Sequence, residues 1–345
     1  MPTELLVTQP YKITLSPYDE PPLKAGEVRA RAVLSALSHG TELSLYRGTA
    51  PFHERAFDPA LRLFRPAEAA QSYPARLGYE WVGRVTEVAP DVTGFAVGDP
   101  VQLPLPHRET HTFAQAEMAA RGVEPSGDLE PERAALLEST GIALQALHDA
   151  RVKIGDVVVI FGLGALGLLA VQLARLSGAG EVVAVDPLPA RRSLAERTGA
   201  TLTLDPTSGD VGLRLREWGG ADVAIEFSGS YAALHEAVRS VRVAGLVIAA
   251  GFYQGGGAAL RLGEEWHHNR VTMRSSQRGW GNTHRDAPAW DRARLRRTSV
   301  KLLDSGTLDT GAFITHRFPF ERAAEAYALI DQHPEEVLKV VLEYL

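Results

Sequence analysis

The residues with the clearest chemical signature are six consecutive positions with glycine at the first, third and sixth. They are Gly162, Leu163, Gly164, Ala165, Leu166 and Gly167, in the pattern G-x-G-x-x-G. In this pattern the first glycine permits a tight turn, the second lets a pyrophosphate approach the backbone, and the third lets helix and strand pack closely. A helix that starts here offers free N–H groups to phosphates. The motif predicts a dinucleotide site if a strand precedes it and a helix follows.

An acidic residue follows this motif at the distance that ribose recognition requires. Asp186 comes 19 residues after Gly167. An acid at this position accepts hydrogen bonds from the ribose hydroxyls of NAD and would repel the extra phosphate of NADP. Arg191 and Arg192 come shortly afterwards and could receive that phosphate. We therefore predict NAD as the cofactor and leave NADP open as the alternative.

The elements that must position these residues are predicted on either side of them. Val157–Phe161 is an apolar run typical of a buried strand, and a helical pattern continues from the glycines to about Leu176. Further strands are predicted over Glu181–Asp186, Ala221–Phe227 and Leu246–Gly251, and further helices over Ala190–Thr198 and Tyr231–Val241. Alternation of this kind builds a parallel sheet covered by helices, so we predict an α/β fold with a doubly wound sheet.

The segments before and after this region have a different character. The first 130 residues contain short alternating runs such as Glu27–Val33 and Trp81–Val88, which predict a β-rich domain. Helices are predicted over Pro131–Leu147, Trp290–Leu303 and Glu321–Asp331, and a last strand over Leu338–Leu342. The arginine-rich face of the second of these helices is interpreted as solvated; it carries Arg292, Arg294, Arg296 and Arg297.

Composition excludes several classes of function. A chain of 345 residues is long enough for two domains. The net charge of −6 leaves no basic excess for a phosphate backbone, so a nucleic-acid partner is not expected. The absence of cysteine excludes disulfides, thiolate nucleophiles and cysteine-bound metal. The apolar run Val157–Ala174 is interpreted as strand plus helix and not as a membrane span, no signal peptide is recognised, and a cytoplasmic location is expected.

Several blocks together resemble the medium-chain dehydrogenase/reductase family, of the zinc-type alcohol dehydrogenase kind. They are Ser35–Gly48, Leu77–Gly83, Val92–Pro100, Ala221–Gly229 and Val243–Gly251, in the family's order. The resemblance implies a GroES-like β-rich catalytic domain made of residues 1–129 and 315–345. It implies a Rossmann cofactor domain over 130–314, with the active site in the cleft between them. It also assigns Pro187, Ser228, Gly251 and Ser276 to cofactor binding, the last near the nicotinamide.

A narrower resemblance joins Ser35–Gly48 with Glu264–Gln277. Both segments look like the subgroup that holds bacteriochlorophyllide a dehydrogenase, which oxidises a hydroxyethyl side chain to an acetyl group. We do not transfer the pigment substrate, because nothing in the sequence indicates photosynthesis.

The chain departs from the family where zinc would bind. Zinc-dependent members bind the metal with a Cys, with the His of a G-H-E signature that Leu77–Gly83 resembles, and with a Cys or Glu. The corresponding positions here are His39, Tyr79 and Glu138. Tyrosine is a poor zinc ligand at neutral pH because its pKa is near 10. The four cysteines of the family's structural zinc lobe are missing. We therefore predict no metal site, and a residual site at His39, Glu80 and Glu138 is the alternative left open.

Without zinc, other groups must stabilise charge on the substrate oxygen and carry its proton. The candidates are Tyr79 as donor, Thr41 as relay hydroxyl and His39 as a group that titrates near neutrality, with Glu42 and Glu80 orienting them. Structural interpretations are also open: a packed ring for Tyr79, a turn hydroxyl for Thr41, a half-buried histidine for His39 and a structural carboxylate for Glu80.

Other polar or aromatic groups are interpreted more simply. Of His267 and His268, one is expected to be buried and one exposed, since neighbours point apart. His107 and His111 are interpreted as loop histidines. In the segment 51–73, Phe52, Phe57 and Phe64 could line an apolar pocket or anchor the loop, and both interpretations stay open.

The predicted function is an NAD(P)-dependent oxidoreductase that interconverts an alcohol and a carbonyl of a small molecule, without zinc. A zinc-independent quinone or enone reductase and a non-catalytic nicotinamide-cofactor-binding protein are the alternatives. The family resemblance implies a homo-oligomer, dimer or tetramer, for which the segment Arg261–Arg274 could provide an edge. No membrane partner is expected.

Overall fold

The computed structural model describes residues 1–66, 73–127, 129–277 and 286–345. These residues form two compact units: a first unit of residues 1–138 and 292–345, and a second unit of residues 139–291. The domain boundaries expected from the sequence, at residues 129 and 315, stay a prediction, because compact packing does not by itself delimit a functional domain.

Strands predominate in the first 114 residues, and strands and helices alternate from residue 157 to residue 275. The strands are β1 (Thr3–Gln9), β2 (Lys12–Pro17), β3 (Glu27–Ala36), β4 (Arg55–Asp58), β5 (Leu63–Pro66), β6 (Ala75–Arg76), β7 (Trp81–Val88), β8 (Pro100–Leu103), β9 (Thr110–Ala114), β10 (Val157–Phe161), β11 (Glu181–Val185), β12 (Leu202–Leu204), β13 (Ala221–Glu226), β14 (Val241–Ala249), β15 (Thr272–Ser275), β16 (Ile314–Pro319) and β17 (Lys339–Glu343). The α-helices are α1 (Thr41–Arg47), α2 (Gln115–Ala120), α3 (Pro131–Ala134), α4 (Leu137–Ala150), α5 (Ala165–Leu176), α6 (Pro189–Thr198), α7 (Val211–Glu217), α8 (Tyr231–Ser240), α9 (Glu265–His268), α10 (Arg292–Asp304) and α11 (Ala323–Gln332).

The second unit is built on a parallel sheet. Its strand order is β12-β11-β10-β13-β14-β15, and each neighbouring pair is parallel. Numbered from β10, this is the order 3-2-1-4-5-6 of a doubly wound sheet, so the predicted fold of this region is confirmed. The strands are apolar on both faces, as helices on the two faces of a parallel sheet require. The strand order reverses between β10 and β13, which is where such sheets bind their ligands.

The first unit is rich in antiparallel strands, as the alternating runs predict. One sheet has the order β16-β17-β3-β7-β8, with β9 also paired to β3, and another has the order β2-β1-β6. The long strand β3 joins β17, near the chain's C-terminus, to β7. This pairing places the segment after β3 beside the segment before β7, and both carry predicted catalytic residues.

Two sequence-based predictions about local structure need correction or completion. The helix predicted over Pro131–Leu147 is wrong as one element: α3 closes in a tight turn, in which the Leu136 N–H donates to the Arg133 carbonyl, and α4 then starts afresh. In the segment 51–73, β4 and β5 form a hairpin in which the Phe64 ring contacts Phe52 and Phe57. Residues 67–72 of this segment lie outside the described residues.

The sequence-based interpretation of the run Val157–Ala174 agrees with the structure, which forms β10 and most of α5 there. Within the ranges that the structure describes, no helix combines the length and apolar composition needed to cross a bilayer.

Candidate functional site

The six-residue glycine motif forms the loop between β10 and α5. Gly162 has φ +83°, a conformation that favours glycine, and a Cβ on it would lie 2.8 Å from the Ser228 nitrogen. A Cβ on Gly167 would lie 1.8 Å from the Gly162 oxygen, so helix and loop pack too closely for any side chain. Gly164 caps the start of α5, faces open space and supplies no side chain to the helix's first N–H groups. The loop therefore keeps helix N–H groups available for an anion.

Asp186 lies at the end of β11 and faces this loop. One carboxylate oxygen accepts the Leu163 N–H at 2.8 Å and the other accepts the Leu188 N–H at 2.9 Å. The Arg191 guanidinium lies 3.8 Å from the carboxylate. Arg192 donates to the Asp186 carbonyl at 2.7 Å and to that of the exposed Pro187 at 2.8 Å. The acid thus ties the second strand to the glycine loop, and one arginine partly offsets its charge.

The other residues assigned to the cofactor lie at the same edge of the sheet. Ser228 follows β13, Gly251 follows β14, and Ser276 follows β15, where its N–H donates to the Ala249 carbonyl at 3.0 Å. A Cβ on Gly251 would lie 2.4 Å from the Gly229 nitrogen, so the loops after β13 and β14 are in contact. Because the strands are parallel, all the predicted cofactor residues lie at the carboxyl edge of the sheet, the edge where doubly wound sheets bind ligands.

A buried carboxylate at this edge was missed by the sequence analysis. Glu226, fully buried at the end of β13, accepts hydrogen bonds from the Ser228 N–H at 2.6 Å, the Gly229 N–H at 3.1 Å and the Tyr253 hydroxyl. Burial raises the pKa of Glu226, while these hydrogen bonds act against that shift. The side chain joins the loops after β13 and β14. It belongs to the block Ala221–Gly229, but no spacing rule marks it as a loop tie.

In the first unit, three hydroxyl groups come together between β3 and β7. The half-buried Tyr79 side chain hydrogen-bonds the Ser38 hydroxyl and also the Thr41 side chain, which is exposed at the start of α1. Burial raises the pKa of the Tyr79 phenol well above its ordinary value, and the nearby Glu80 and Glu42 carboxylates raise it further. Tyr79 is therefore a neutral hydrogen-bond donor at physiological pH. His39 lies half-buried in the same loop, next to Ser38.

Glu42 lies behind this hydroxyl cluster in a buried hydrogen-bonded chain. Its carboxylate accepts the Ser38 N–H at 2.9 Å and the Tyr327 hydroxyl, and lies 3.0 Å from His107 Nε2. On the other side of the ring, His107 Nδ1 lies 2.7 Å from the Ser35 hydroxyl. Glu42, His107 and Tyr327 are each at most 2% exposed. Glu42 thus ties the loop that carries Ser38 to the buried chain, and its orienting role in catalysis stays a prediction.

The interpretation of His107 and His111 as loop histidines holds for His107, which lies between β8 and β9, and is wrong for His111, which lies on β9. His107 is fully buried in the chain just described, and a Cβ on Gly78 would lie 2.7 Å from its ring. His111 lies on β9, is 5% exposed, and its Nε2 contacts the Pro106 carbonyl at 2.8 Å. The partners of His107 come from distant parts of the chain, whereas that of His111 lies five residues away.

Glu80 and Glu138 each have a cationic partner. Glu80 is fully buried and forms an ion pair with Lys339, itself 4% exposed. Glu138 lies 3.1 Å from Arg296 and 3.6 Å from Arg292. Arg296 is 4% exposed and also donates to the Gln102 carbonyl at 2.7 Å, so the prediction of a wholly solvated arginine face is wrong for this residue. A buried carboxylate requires such a partner, and that requirement draws the arginine inward.

The residues that correspond to the family's zinc ligands do not fit a zinc ion. Tyr79 keeps its proton, Glu80 is bound to Lys339, and Glu138 is bound to two arginines. Across the described residues, two trios bring His and carboxylate ligand atoms within 4.8 Å of one another: His235, Glu264 and Glu265, and His333, Glu335 and Glu336. Neither includes His39, Glu80 or Glu138.

The expectation that one of His267 and His268 is buried is also wrong. Both are exposed on α9, where the His268 ring contacts the Glu264 carbonyl at 3.0 Å. The helix is a single short turn at the surface, so neither ring reaches the core.

Comparisons with known proteins cover nearly the whole chain. The family model described as "Alcohol dehydrogenase GroES-like domain" matches residues 27–124, and "Zinc-binding dehydrogenase" matches residues 165–292. D-guloside 3-dehydrogenase of Escherichia coli (strain K12) is 34% identical over 98% of this chain and 98% of its own. The crystal structure of 2R,3R-butanediol dehydrogenase from Bacillus subtilis has a TM-score of 0.78 at 21% identity, with 99% of each chain covered. An alcohol dehydrogenase from E. coli CFT073, complexed with NADH, has a TM-score of 0.78 at 18% identity, again with 99% of each covered.

Proposed function

Because the chain belongs to the medium-chain dehydrogenase/reductase family of zinc-type alcohol dehydrogenases, we propose that it oxidises a hydroxyl group of a sugar derivative to a carbonyl, with NAD and without catalytic zinc. The chain is an oxidoreductase with that family's GroES-like and Rossmann folds. The observation that carries the proposal is the glycine loop, which leaves the start of α5 open at the point where the strand order reverses.

The residues at this edge fit a nicotinamide dinucleotide. Gly164 and the first turn of α5 would receive the pyrophosphate, and Asp186 would receive the ribose hydroxyls. Asp186 already accepts two backbone N–H groups, and its carboxylate oxygens keep lone pairs for further donors. Its charge favours NAD over NADP. The bound cofactor would supply the hydride acceptor of the reaction.

In the first unit, the hydroxyl cluster of Ser38, Thr41 and Tyr79 is proposed to hydrogen-bond the substrate oxygen and to transfer its proton. Tyr79 keeps its proton, so it can donate a hydrogen bond to an oxygen that carries partial negative charge. Ser38 and Thr41 contact the same phenol, and each hydroxyl can accept one proton while releasing its own. Thr41 is exposed, so the substrate proton would leave through it to solvent water. Glu42 holds the Ser38 backbone N–H and thereby fixes the loop.

Independence from zinc is supported by the same contacts. A zinc ion at Glu80 or Glu138 would have to displace a lysine or two arginines from buried carboxylates, and Tyr79 would have to lose a proton that its surroundings retain. Each of these changes costs free energy, and a zinc site whose ligands have no cationic partner avoids that cost.

The substrate class comes from the relative that is 34% identical, named for a D-guloside. Oxidation of a hydroxyl to a carbonyl is also what the resemblance to the bacteriochlorophyllide a dehydrogenase-like subgroup implies. We further propose a homo-oligomer, because β15 ends the described order of the parallel sheet and an edge strand offers pairing groups. Light scattering of the purified protein measures the oligomeric state directly.

The test is steady-state turnover of the purified protein with NAD and NADP on glycosides, polyols, simple alcohols and enones, after metal removal with a chelator. We expect NAD reduction with a glycoside, unchanged by the chelator. Tyr79→Phe should lower kcat by about 10²–10³-fold, the effect of losing one oxyanion donor. Arg31→Gln, a change of an exposed side chain in the same unit, is the control and should leave kcat unchanged.

Three outcomes would contradict the proposal. Activity that the chelator abolishes and zinc restores, while the Tm stays unchanged, would show a catalytic metal. Turnover of enones alone would favour the reductase alternative. Tight cofactor binding without any turnover would favour a non-catalytic protein.

A further inference from the structure

Outside the proposed active site, a buried histidine in the second unit lacks the hydrogen bonds that burial demands. His235 lies on α8 and is 4% exposed. Neither of its ring nitrogens makes a hydrogen bond within the described residues. A buried polar nitrogen without a partner costs about 1–3 kcal/mol, and buried polar groups in native proteins are nearly always paired. The ring therefore needs a partner that the described part of the chain does not supply.

Two carboxylates lie where such a partner would be shared. His235 Nε2 lies 3.7 Å from a Glu264 oxygen, and ligand atoms of His235, Glu264 and Glu265 all lie within 4.8 Å of one another. One Glu265 oxygen is also buried without a hydrogen bond in the described residues. Ligands of tetrahedral zinc, bound at about 2.0–2.1 Å, lie about 3.3 Å apart, so a small inward movement suffices.

The charged groups around this trio carry a net negative charge, which also favours binding of a cation. Two guanidinium groups, on Arg239 and Arg261, contact four carboxylates. Arg239 pairs with Asp210, Glu236 and Glu265, and Arg261 pairs with Glu264. The group is therefore left with two more carboxylates than guanidiniums, the charge that one divalent ion neutralises.

The two arginines do not block the position. The side chains of Arg261 and Glu264 are 55% and 48% exposed, so their pair is a surface pair that is weak and easily exchanged. Arg239 is bound to both oxygens of Asp210, at 2.9 and 2.7 Å, and lies farther, at 3.5 Å, from Glu265. The Glu265 oxygen without a partner is thus available as a ligand.

We propose that His235, Glu264 and Glu265 bind one divalent transition-metal ion, with Zn²⁺ as the best match to one imidazole and two carboxylates. The ion would tie α8 to the segment at the start of α9. That segment leads into β15, so the role of the metal is structural and distinct from the hydride-transfer chemistry. Water would complete the coordination.

The chain contains a matched comparison with the same donor types. His333, Glu335 and Glu336 form the second trio, but all three are exposed. Because these ligand atoms are exposed, binding a metal would not relieve any free-energy cost of burial. A site that depends on burial and charge predicts binding at the first trio and not at the second.

The experiment is a calorimetric titration with Zn²⁺ of the full-length protein, without an affinity tag and after chelator treatment. Absorption on addition of Co²⁺ gives a second readout, because ligand-field bands report coordination geometry. We expect one Zn²⁺ per chain in the wild-type protein and a rise in Tm on binding. His235→Gln and Glu265→Gln should each weaken binding by at least about tenfold, whereas His333→Gln should leave it unchanged.

Three results would overturn the proposed metal site. No stoichiometric binding in the wild-type protein overturns the proposal, as does wild-type affinity in both His235→Gln and Glu265→Gln. Loss of binding in His333→Gln would place the ion at the exposed trio and overturn it too. Glu265→Gln preserves size and shape, so it decides the matter if circular dichroism shows that His235→Gln does not fold.

Discussion

Lys339→Met should destabilise the first unit strongly, because it leaves the fully buried Glu80 carboxylate without its cation. Removing one partner of a buried ion pair costs about 3–5 kcal/mol. Glu80→Gln should cost less, about 1–3 kcal/mol, because the neutral amide can still accept a hydrogen bond from the ammonium. In the double variant neither charge is left alone, so its loss should be smaller than the sum of the two single losses by about 2 kcal/mol.

The assay is urea unfolding at pH 7.5 followed by fluorescence. Trp81, adjacent to Glu80 and fully buried, is the tryptophan of the first unit, while the other tryptophans that the structure describes, Trp218, Trp266 and Trp290, fall in the second. Trp81→Phe therefore identifies the part of the signal that reports on the first unit. Within that signal, the midpoint and slope give the free energy of unfolding for each member of the cycle.

Two results would refute this account of Glu80. A loss below about 1 kcal/mol in Lys339→Met would mean that the pair is not a buried, desolvated one. Recovery of Lys339→Met by Zn²⁺, absent from the double variant, would show that Glu80 is available as a metal ligand and would weaken the zinc-independent mechanism.

The remaining predictions concern pH and the glycine loop. Burial lowers the pKa of His111 to about 3, below the value near 6.5 of an unfolded chain, so this residue stabilises the fold above pH 6.5 and that contribution is lost as the pH falls. Between pH 7.5 and 5, the wild-type protein should lose about 2 kcal/mol more stability than His111→Gln, as measured by urea unfolding at each pH. The exposed His333→Gln is the control and should behave like the wild-type protein. Equal losses in the wild-type protein and His111→Gln would contradict the burial of His111. Gly167→Ala should abolish NADH binding in a fluorescence titration, because its Cβ would lie 1.8 Å from the Gly162 oxygen, whereas Gly209→Ala, in open space, should bind normally. Binding within twofold of wild type in Gly167→Ala would show that the loop can rearrange.

The cofactor half of the site is largely determined by the sequence, because its signals are local. The strand Val157–Phe161, the glycine turn and the helix ending at Leu176 were predicted with the bounds that the structure has. Each follows from neighbouring residues: β-branched apolar runs, glycines that permit close approach, and helical periodicity. Once the strands are known to be parallel, their carboxyl ends must share one edge, which brings Asp186, Ser228 and Gly251 together.

The surroundings of the predicted catalytic residues were decided only by the tertiary structure. Glu80 meets Lys339, Glu138 meets Arg296, and Glu42 meets His107 and Tyr327, all across large separations in the chain. No periodicity or spacing links such residues, because the pairing of β3 with β7 and β17 brings their neighbourhoods together. The sequence therefore identified which side chains could act as hydrogen-bond donors, acceptors or ligands. Packing decided which carboxylates are already neutralised by a cation and which phenol keeps its proton, because burial makes an unpaired charge too costly to leave without a partner.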